Sequence, residues 1–251
     1  MEGKLIGTNR YALKQTVRCY DVDSAMRLRP SSFMDYAQEL AYLAADAMHF
    51  GYDELMREGK AWVLSRMHIV FDDIPHWRDK IELTTWHKGP AGPFYIRDFS
   101  LCEDNKVRVR ATSSWVILDI RERRMVRSSE VVEMIPESTV CHDNAIEEPA
   151  ARIMAPKGFE MQLAGSHTVQ YSDIDLQGHT NNARYVLWAV DCIGTDVLKE
   201  HPVRELTVNF NHETLAGEVV ELFICHDGTD YFVEGHSGGH IVFCVKVKLY
   251  D

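Results

Sequence analysis

The sequence predicts an α+β fold made of two tandem copies of one unit, each a long helix wrapped by an antiparallel sheet. Three observations predict it: an internal repeat, an apolar helix candidate after each copy of the repeat, and strand-like runs after each helix. The repeat is VRCYDVD at 17–23 and VQYSDID at 169–175, in which Val17, Asp21 and Asp23 each recur 152 positions later. Helices this apolar bury their faces against a sheet, which is the α+β arrangement.

The first helix candidate is PSSFMDYAQELAYLAADAMHFG, residues 30–51. Ser31 or Ser32 is suited to cap its start, and Gly51 to close it. Apolar residues recur at steps of three and four and predict one buried face, made of Phe33, Ala37, Leu40, Ala41, Ala44 and Met48.

The second helix candidate runs from about Asn182 to Lys199, and its apolar face holds Tyr185, Trp188, Ala189 and Cys192 or Ile193. After the helices, LSRMHIVF (64–71) and RELTVNF (204–210) alternate apolar and polar residues, as strands do. Further strands are predicted at RDKIEL, GEVVEL, YIRDFSL, ATSSWVIL, YFVEGHS and IVFCVKVKL. We therefore expect an N-terminal domain at 1–130, a linker at 131–160 with three prolines, and a C-terminal domain at 161–251.

Composition excludes several classes of protein. Lys and Arg number 27 against 38 Asp and Glu, and the net charge of −11 opposes binding to nucleic acid or anionic membranes. The one dense basic run is RERRMVR at 121–127. No apolar run approaches the roughly 20 residues that cross a bilayer, and no signal-peptide block is present, so we expect a cytoplasmic protein without membrane insertion. The six cysteines are scattered and no metal-ligand spacing occurs, so neither disulfides nor a metal is expected.

Candidate site residues emerge where the two copies differ. The aligned pairs are Gln177 for Ala25, His179 for Arg27 and, at a second offset of 139, Glu213 for Ile74. The second copy thus carries an amide, an imidazole and a carboxylate where the first has none of these. This difference predicts one reaction centre per chain, in the second half, and leaves the first half free to supply an apolar pocket.

The segment DIDLQGH at 173–179 provides a local geometry for such a centre. If it is extended, Asp173, Asp175, Gln177 and His179 face one way while Ile174 and Leu176 pack on the other. Asn181 or Asn182 is suited to cap the helix that follows, whose first amides could stabilise a carbonyl oxygen that becomes negative. Glu213 follows a strand among apolar positions, and we expect it to lie across from His179. The same residue types are also ordinary turn and cap residues, so this segment alone leaves function open.

The sequence resembles the acyl-acyl-carrier-protein (acyl-ACP) thioesterases, double hot-dog enzymes that end fatty-acid synthesis. The likeness extends over about residues 13–249 through RCYDVD, YAQELA, AWVLSRMHIVF, PHWRD, TTWHKG, YIRDFSL, RATSSWVILD before RERR, and SDIDLQGHTNNARYVLW. The family motif D-x-N-x-H-V-N-N falls on Asp175, Gln177, His179, Thr180, Asn181 and Asn182, and its downstream glutamate falls on Glu213. This chain departs from the family in having Gln177 for the asparagine and Thr214 for a cysteine.

The resemblance implies hydrolysis of a fatty acyl-ACP thioester without a cofactor, with acyl carrier protein as partner. Glu213 or Asp175 would activate a water while His179, Gln177 and helix-start amides polarise the carbonyl, or Asp175 would attack directly. Residues that could line an acyl pocket in the first half are Phe33, Tyr36, Leu40, Trp62 and Trp115. Monomer and homodimer are both open.

Three other functions stay open on the same fold. The chain could hydrolyse acyl-CoA instead of acyl-ACP, since the preference for the carrier protein rests on family analogy. It could be a non-catalytic acyl-binding protein, an interpretation favoured by Gln177, which stands in place of the family's asparagine. A hydratase is conceivable, although no residue pattern indicates one.

Overall fold

The structure, a computed structural model, describes residues 3–127, 130–131 and 134–251. It divides into two compact units. Unit 1 is the chain up to Arg29 together with Asp35–Ala150, and unit 2 is Pro30–Met34 together with Ala151–Asp251. Residues 132 and 133 of the predicted linker lie outside the described ranges.

Unit 1 contains an antiparallel sheet in the order β1-β2-β4-β5-β6-β3, with β7 beside β6. Its elements are β1 (Lys4–Ile6), β2 (Arg10–Thr16), α1 (Pro30–Ala47, which begins in unit 2), α2 (Tyr52–Arg57), β3 (Lys60–Phe71), β4 (Lys80–Ala91), β5 (Phe94–Glu103), β6 (Lys106–Asp119) and β7 (Arg124–Met125). Register is set by pairs such as Leu83 with Leu101, which are both buried.

Unit 2 contains a second antiparallel sheet, in the order β9-β12-β11-β10-β8. Its elements are β8 (Gln162–Thr168), α3 (Asn182–Asp191), α4 (Thr195–Glu200), β9 (Val203–Phe210), β10 (Val219–Asp227), β11 (Asp230–Ser237) and β12 (His240–Leu249). Every strand predicted from alternation or apolar runs forms, which confirms the α+β prediction of two helix-and-sheet copies.

Helix α1 has the predicted buried face but different ends. All six predicted face residues are buried. The helix begins at Pro30, with Arg29 at the N-cap, so the predicted caps at Ser31 and Ser32 are wrong. Proline is favoured at the first helical position because its φ is already helical and its missing N–H would be unpaired there. At the other end His49, at φ +65°, takes the left-handed position expected for Gly51, and Phe50 N–H donates to the Ala45 carbonyl.

The second predicted helix is interrupted. Helix α3 ends at Asp191, and α4 begins only at Thr195. Gly194 lies between them at φ +94°, a conformation that glycine adopts without strain and that stops a helix. The prediction of one helix to Lys199 is therefore wrong in its length. Among the described residues, no helix is long and apolar enough to cross a membrane.

Candidate active site

The segment at 173–180 forms a tight turn. Asp175 N–H donates to the His179 carbonyl at 2.9 Å, Gly178 N–H donates to the Asp175 carbonyl at 3.1 Å, and Ile174 bridges to Thr180. The predicted extended segment is thus wrong. Its reversal has a local cause, because Asp175 Oδ1 accepts the Gln177 N–H at 2.8 Å and Gly178 adopts φ +84°.

The turn redistributes the residues predicted to share one face. Leu176 is 70% exposed instead of packed. Asp173, the first residue of the turn, is buried, and its Oδ2 accepts the Gln170 N–H at 2.8 Å and lies 2.8 Å from His167 Nε2. Asp173 therefore anchors the start of the turn and does not join the exposed polar cluster.

Glu213 lies in the loop after β9, and its neighbour Thr214 fixes that loop. Thr214 is fully buried, and its hydroxyl lies 2.7 Å from the Thr180 hydroxyl and 2.8 Å from that of Tyr185. Thr180 N–H also donates to the Thr214 carbonyl at 2.9 Å. These contacts join the Glu213 loop, the end of the turn and helix α3. In the sequence, Thr214 stands out only as a departure from the family's cysteine, and no sequence pattern indicates this network.

The contacts of Thr214 bring an imidazole and a carboxylate close together. His179 Nε2 lies 3.4 Å from Glu213 Oε2, as the sequence predicted, and the side chains are 37% and 54% exposed. The expectation that Glu213 sits among apolar residues is wrong, because its loop leaves the carboxylate in solvent. A carboxylate next to an imidazole can act together with it as a general base toward a water molecule.

The first copy of the turn has the same backbone and different side chains. Asp23 N–H donates to the Arg27 carbonyl at 2.9 Å and Val22 bridges to Leu28, each 152 positions before its counterpart. There the Arg27 guanidinium binds Asp23 Oδ2 at 2.9–3.0 Å, and Ile74 is buried. The first turn is therefore closed by an internal ion pair, whereas the second presents a titratable pair.

Helix α3 begins directly after the turn. Asn181 is its N-cap, as predicted, and the Asn181 side chain accepts the Ala183 N–H at 2.8 Å. Asn181 N–H itself donates to the Asp173 carbonyl at 2.8 Å. Of the four predicted site residues, Asp175, Gln177 and His179 thus lie in one turn immediately before a helix start.

Unit 1 contains a cavity of about 500 Å³, a volume that includes its open mouth. The cavity is lined by Ala41, Tyr42, Ala45, Phe50, Tyr52, Trp62, His87, Tyr95, Ile96, Arg97, Trp115 and Ile135. Trp62 and Trp115 are two of the residues considered for an acyl pocket. The other three do not line it: Phe33 and Leu40 are completely buried, and the Tyr36 hydroxyl hydrogen-bonds to Asp21.

Two polar residues of the cavity, His87 and Arg97, were not predicted from the sequence as functional residues. Burial, together with the charge of Arg97, lowers the pKa of His87 to about 3. Gly89 N–H donates to His87 Nδ1, so Nε2 carries the hydrogen and donates to Thr139 Oγ1 at 2.8 Å. His87 is thus a neutral, fixed imidazole at physiological pH. Within the described ranges, no group of three or more His, Cys, Asp or Glu side chains is placed to hold a metal ion.

Comparison with known families gives two adjacent matches. The family model described as the acyl-ACP thioesterase N-terminal domain matches residues 8–135, and the one described as the acyl-ACP thioesterase C-terminal domain matches residues 158–240.

Similar curated proteins include a chloroplastic acyl-[acyl-carrier-protein] hydrolase FATB1 of Cuphea viscosissima, 25% identical over 94% of this chain and 57% of that protein. A chloroplastic palmitoyl-acyl carrier protein thioesterase of Gossypium hirsutum is 24% identical over 79% of this chain and 50% of that protein. The chain thus spans between half and about three-fifths of the length of these relatives.

Solved structures show the same fold over the whole chain. An acyl-ACP thioesterase from Bacteroides thetaiotaomicron superposes with a TM-score of 0.85 at 24% identity, covering 96% of this chain and 98% of that one. The 12:0-ACP thioesterase from Umbellularia californica also gives a TM-score of 0.85, at 20% identity, covering 98% and 99%. The predicted double hot-dog architecture is confirmed.

Proposed function

The chain belongs to the acyl-ACP thioesterase family, and from this membership we propose that it hydrolyses the thioester of fatty acyl-ACP, releasing free fatty acid and holo-ACP. The observation that carries the proposal is the 3.4 Å approach of His179 Nε2 to Glu213 Oε2. His179 lies in the second copy of the turn, at the position that Arg27 occupies in the first, and Glu213 reaches it from the loop after β9. The relatives from Gossypium hirsutum and Cuphea viscosissima, a palmitoyl-acyl carrier protein thioesterase and an acyl-[acyl-carrier-protein] hydrolase, support the choice of substrate.

In the proposed mechanism, a water oxygen attacks the thioester carbonyl carbon. The Glu213–His179 pair accepts the proton of this water, the C–S bond breaks, and the leaving sulfur takes up a proton to give the thiol. General-base catalysis of this kind supplies about 10²- to 10⁴-fold. The exposure of both side chains leaves them accessible to water and to a substrate.

Gln177 and Asp175 complete the proposed site. Asp175 Oδ1 accepts the Gln177 N–H, so the carboxylate also holds the shape of the turn that presents His179. In a second route, Asp175 attacks the thioester carbon, the thiolate leaves, and water then cleaves the mixed anhydride. Label in Asp175 after a single turnover in oxygen-18 water would identify the anhydride route, because water that attacks the Asp175 carbonyl carbon leaves its oxygen there, whereas direct attack of water on the thioester labels only the fatty acid.

The two units have different proposed roles. Unit 2 carries the four site residues. The aromatic cavity of unit 1 is proposed to take the hydrocarbon chain, because each buried methylene contributes about 0.8 kcal/mol and a closed wall can therefore measure chain length. A cytoplasmic location belongs to the same proposal and is tested by fractionation of the source cells.

The test uses one acyl group on two carriers. Decanoyl-ACP and decanoyl-CoA are incubated with the chain, the free thiol is measured with dithionitrobenzoate, and the fatty acid by mass spectrometry. We expect release from both carriers, with the higher kcat/KM for decanoyl-ACP. Equal or better use of decanoyl-CoA would reassign the carrier. Binding of both without release would instead make the chain an acyl-binding protein.

A further inference from the structure

The cavity of unit 1 has an aromatic wall that is interrupted by one cation. Arg97 lies on β5, directly across from His87 on β4 and from Ser113 on β6. It is 6% exposed, and it lines the cavity beside Trp62 and Trp115. A buried arginine in an apolar wall is costly unless an anion accompanies it.

Within the described part of the chain, the Arg97 guanidinium has no carboxylate partner. Its one side-chain hydrogen bond runs from Nη1 to Thr85 Oγ1 at 3.3 Å, although a guanidinium has five N–H donors. Burial lowers the pKa of Arg97 to about 10, so the group still carries its charge at neutral pH.

Another buried arginine of the same unit is paired differently. Arg108 Nε lies 2.9 Å from Asp73, and Nη1 hydrogen-bonds to Glu103 and lies 3.5 Å from Asp79. Both arginines are removed from water, and among the residues that the structure describes Arg108 has carboxylate partners while Arg97 has none. The counter-charge that the described residues do not supply to Arg97 points to a ligand.

The polar groups beside Arg97 are already occupied and do not replace an anion. His87 is neutral, with both ring nitrogens hydrogen-bonded. The indole N–H of Trp115 donates to Ser113 Oγ at 2.8 Å, and that of Trp62 donates to the Phe50 carbonyl at 3.1 Å. The guanidinium, which has five N–H donors and one side-chain hydrogen bond, has donors available to a guest.

We infer that this cavity binds a hydrocarbon chain that ends in a carboxylate, and that Arg97 holds this carboxylate while the aromatic residues cover the chain. A guanidinium and a carboxylate match in charge and in their two-pronged geometry. Such an end can come from a free fatty acid or from the far end of an ω-carboxyacyl group. The second source rests on the proposed function; the first does not.

The test compares ligands that differ only in their head group. Decanoate, 1-decanol and methyl decanoate are titrated into the intact chain at pH 7, below micelle-forming concentrations, and binding is followed by calorimetry and by the tryptophan fluorescence of the chain, to which Trp62 and Trp115 of the cavity contribute. We expect decanoate to bind about tenfold or more tightly than the two uncharged ligands, as a charge-assisted hydrogen-bonded pair would give. Equal affinity for all three would overturn the inference without any variant.

Two variants locate the effect. Arg97→Met should remove the preference for decanoate while it keeps the binding of decanol, because methionine restores apolar surface of similar length. Arg110→Met removes an arginine from the adjacent strand β6 that is already paired with Asp72, and it should keep the preference. A decanoate preference that survives in Arg97→Met would place the carboxylate elsewhere.

Kinetics then separate the two sources. Inhibition of decanoyl-ACP hydrolysis by decanoate that disappears in Arg97→Met identifies the free acid as the ligand. A KM about tenfold lower for an ω-carboxydecanoyl thioester than for the decanoyl thioester, lost in Arg97→Met, identifies the far end of the acyl group. Direct binding needs no turnover, so a chain that prefers decanoate but releases no thiol would end the hydrolase proposal and leave this site standing.

Discussion

His179 and Arg27 occupy equivalent places in two copies of one turn, and each meets a carboxylate. Arg27 pairs with Asp23 inside its own turn, a contact that is satisfied without any ligand. His179 pairs instead with Glu213 from another loop, and both side chains remain partly in solvent. One substitution at the same backbone position thus separates a structural ion pair from a pair that can exchange a proton.

We predict that His179→Ala and Asp175→Asn each lower the rate of free-acid release by about 10²- to 10⁴-fold without unfolding the chain. His179 is partly exposed, so its removal leaves no cavity. In Asp175→Asn, the amide oxygen can still accept the Gln177 N–H. Thiol release and circular dichroism measure the two effects. His212→Ala removes an exposed histidine beside Glu213 and should keep activity; full activity in either site variant would remove that residue from the mechanism.

A second residue-scale prediction concerns His87 and acid stability. Its pKa is lowered from 6.5 to about 3, mainly by burial. Between these values the unfolded chain binds a proton at His87 and the folded chain does not, so the free energy of unfolding falls as pH drops from 6.5 towards 3. At pH 4.5 the loss from this group should be about 2–3 kcal/mol relative to pH 7.

Urea unfolding at pH 7 and pH 4.5 measures this loss. His87→Gln removes the titrating ring and should reduce the difference between the two pH values by that amount. The exposed His142→Gln carries the same change outside the cavity and should behave as the wild type. An equal pH dependence in wild type and His87→Gln would show that His87 does not resist protonation in the folded chain.

At the scale of single elements, the turn at 173–180 controls where the reactive pair lies. Its shape depends on Gly178 at φ +84°, where an added Cβ would meet open space. The cost of a side chain at this position is therefore backbone strain alone. In the first copy the equivalent residue, Met26, adopts φ +64° and shows that the strain is tolerable.

We predict that Gly178→Ala lowers the free energy of unfolding by about 1 kcal/mol and also lowers activity, because His179 follows the strained residue directly. Gly165→Ala is the matched control, since Gly165 in β8 also has open space around its Cβ position and no positive φ. That substitution should leave stability unchanged or slightly raised. Denaturant unfolding of both variants is the measurement, and equal stability of the two would argue against strain at 178.

At the scale of the whole molecule, the internal repeat made the fold predictable. The cavity residues that meet only through the pairing of strands, His87 and Arg97, could not be predicted in the same way. Alternating and apolar runs predicted β3–β6 and β9–β12 but not β1, β2, β7 or β8. The mismatch between Glu213 and its repeat counterpart Ile74 pointed to the reactive pair. The alternation of side chains predicted that the turn at 173–180 would be extended. It is not, because the hydrogen bonds of Asp175 and the positive φ of Gly178 outweigh that alternation. The sequence did not indicate that His87 and Arg97 lie side by side, because that contact depends on the register between β4 and β5. A single charged residue in an alternating strand is expected to face solvent.

The net charge of −11 matters for the choice of carrier, since an acidic carrier protein is repelled by most of this surface. The basic run at 121–127 is the local exception. Within it, Arg124 binds Glu122 and Glu130, whereas Arg121 and Arg127 are exposed. Docking of the carrier at these arginines would be electrostatic and screened by salt, because the Debye length falls from about 10 Å at 0.1 M to about 3 Å at 1 M.

We therefore predict that kcat/KM for decanoyl-ACP falls about tenfold between 0.05 and 0.5 M NaCl, while that for decanoyl-pantetheine, which has no protein and no phosphate, changes less than twofold. The double variant Arg121→Ser with Arg127→Ser should lower kcat/KM for decanoyl-ACP at low salt and flatten its salt dependence, with no effect on decanoyl-pantetheine. Arg57→Ser with Arg204→Ser, two exposed arginines elsewhere, is the control for net charge. If both double variants weaken the ACP reaction equally, the long-range field governs carrier use and the run at 121–127 has no special part in it.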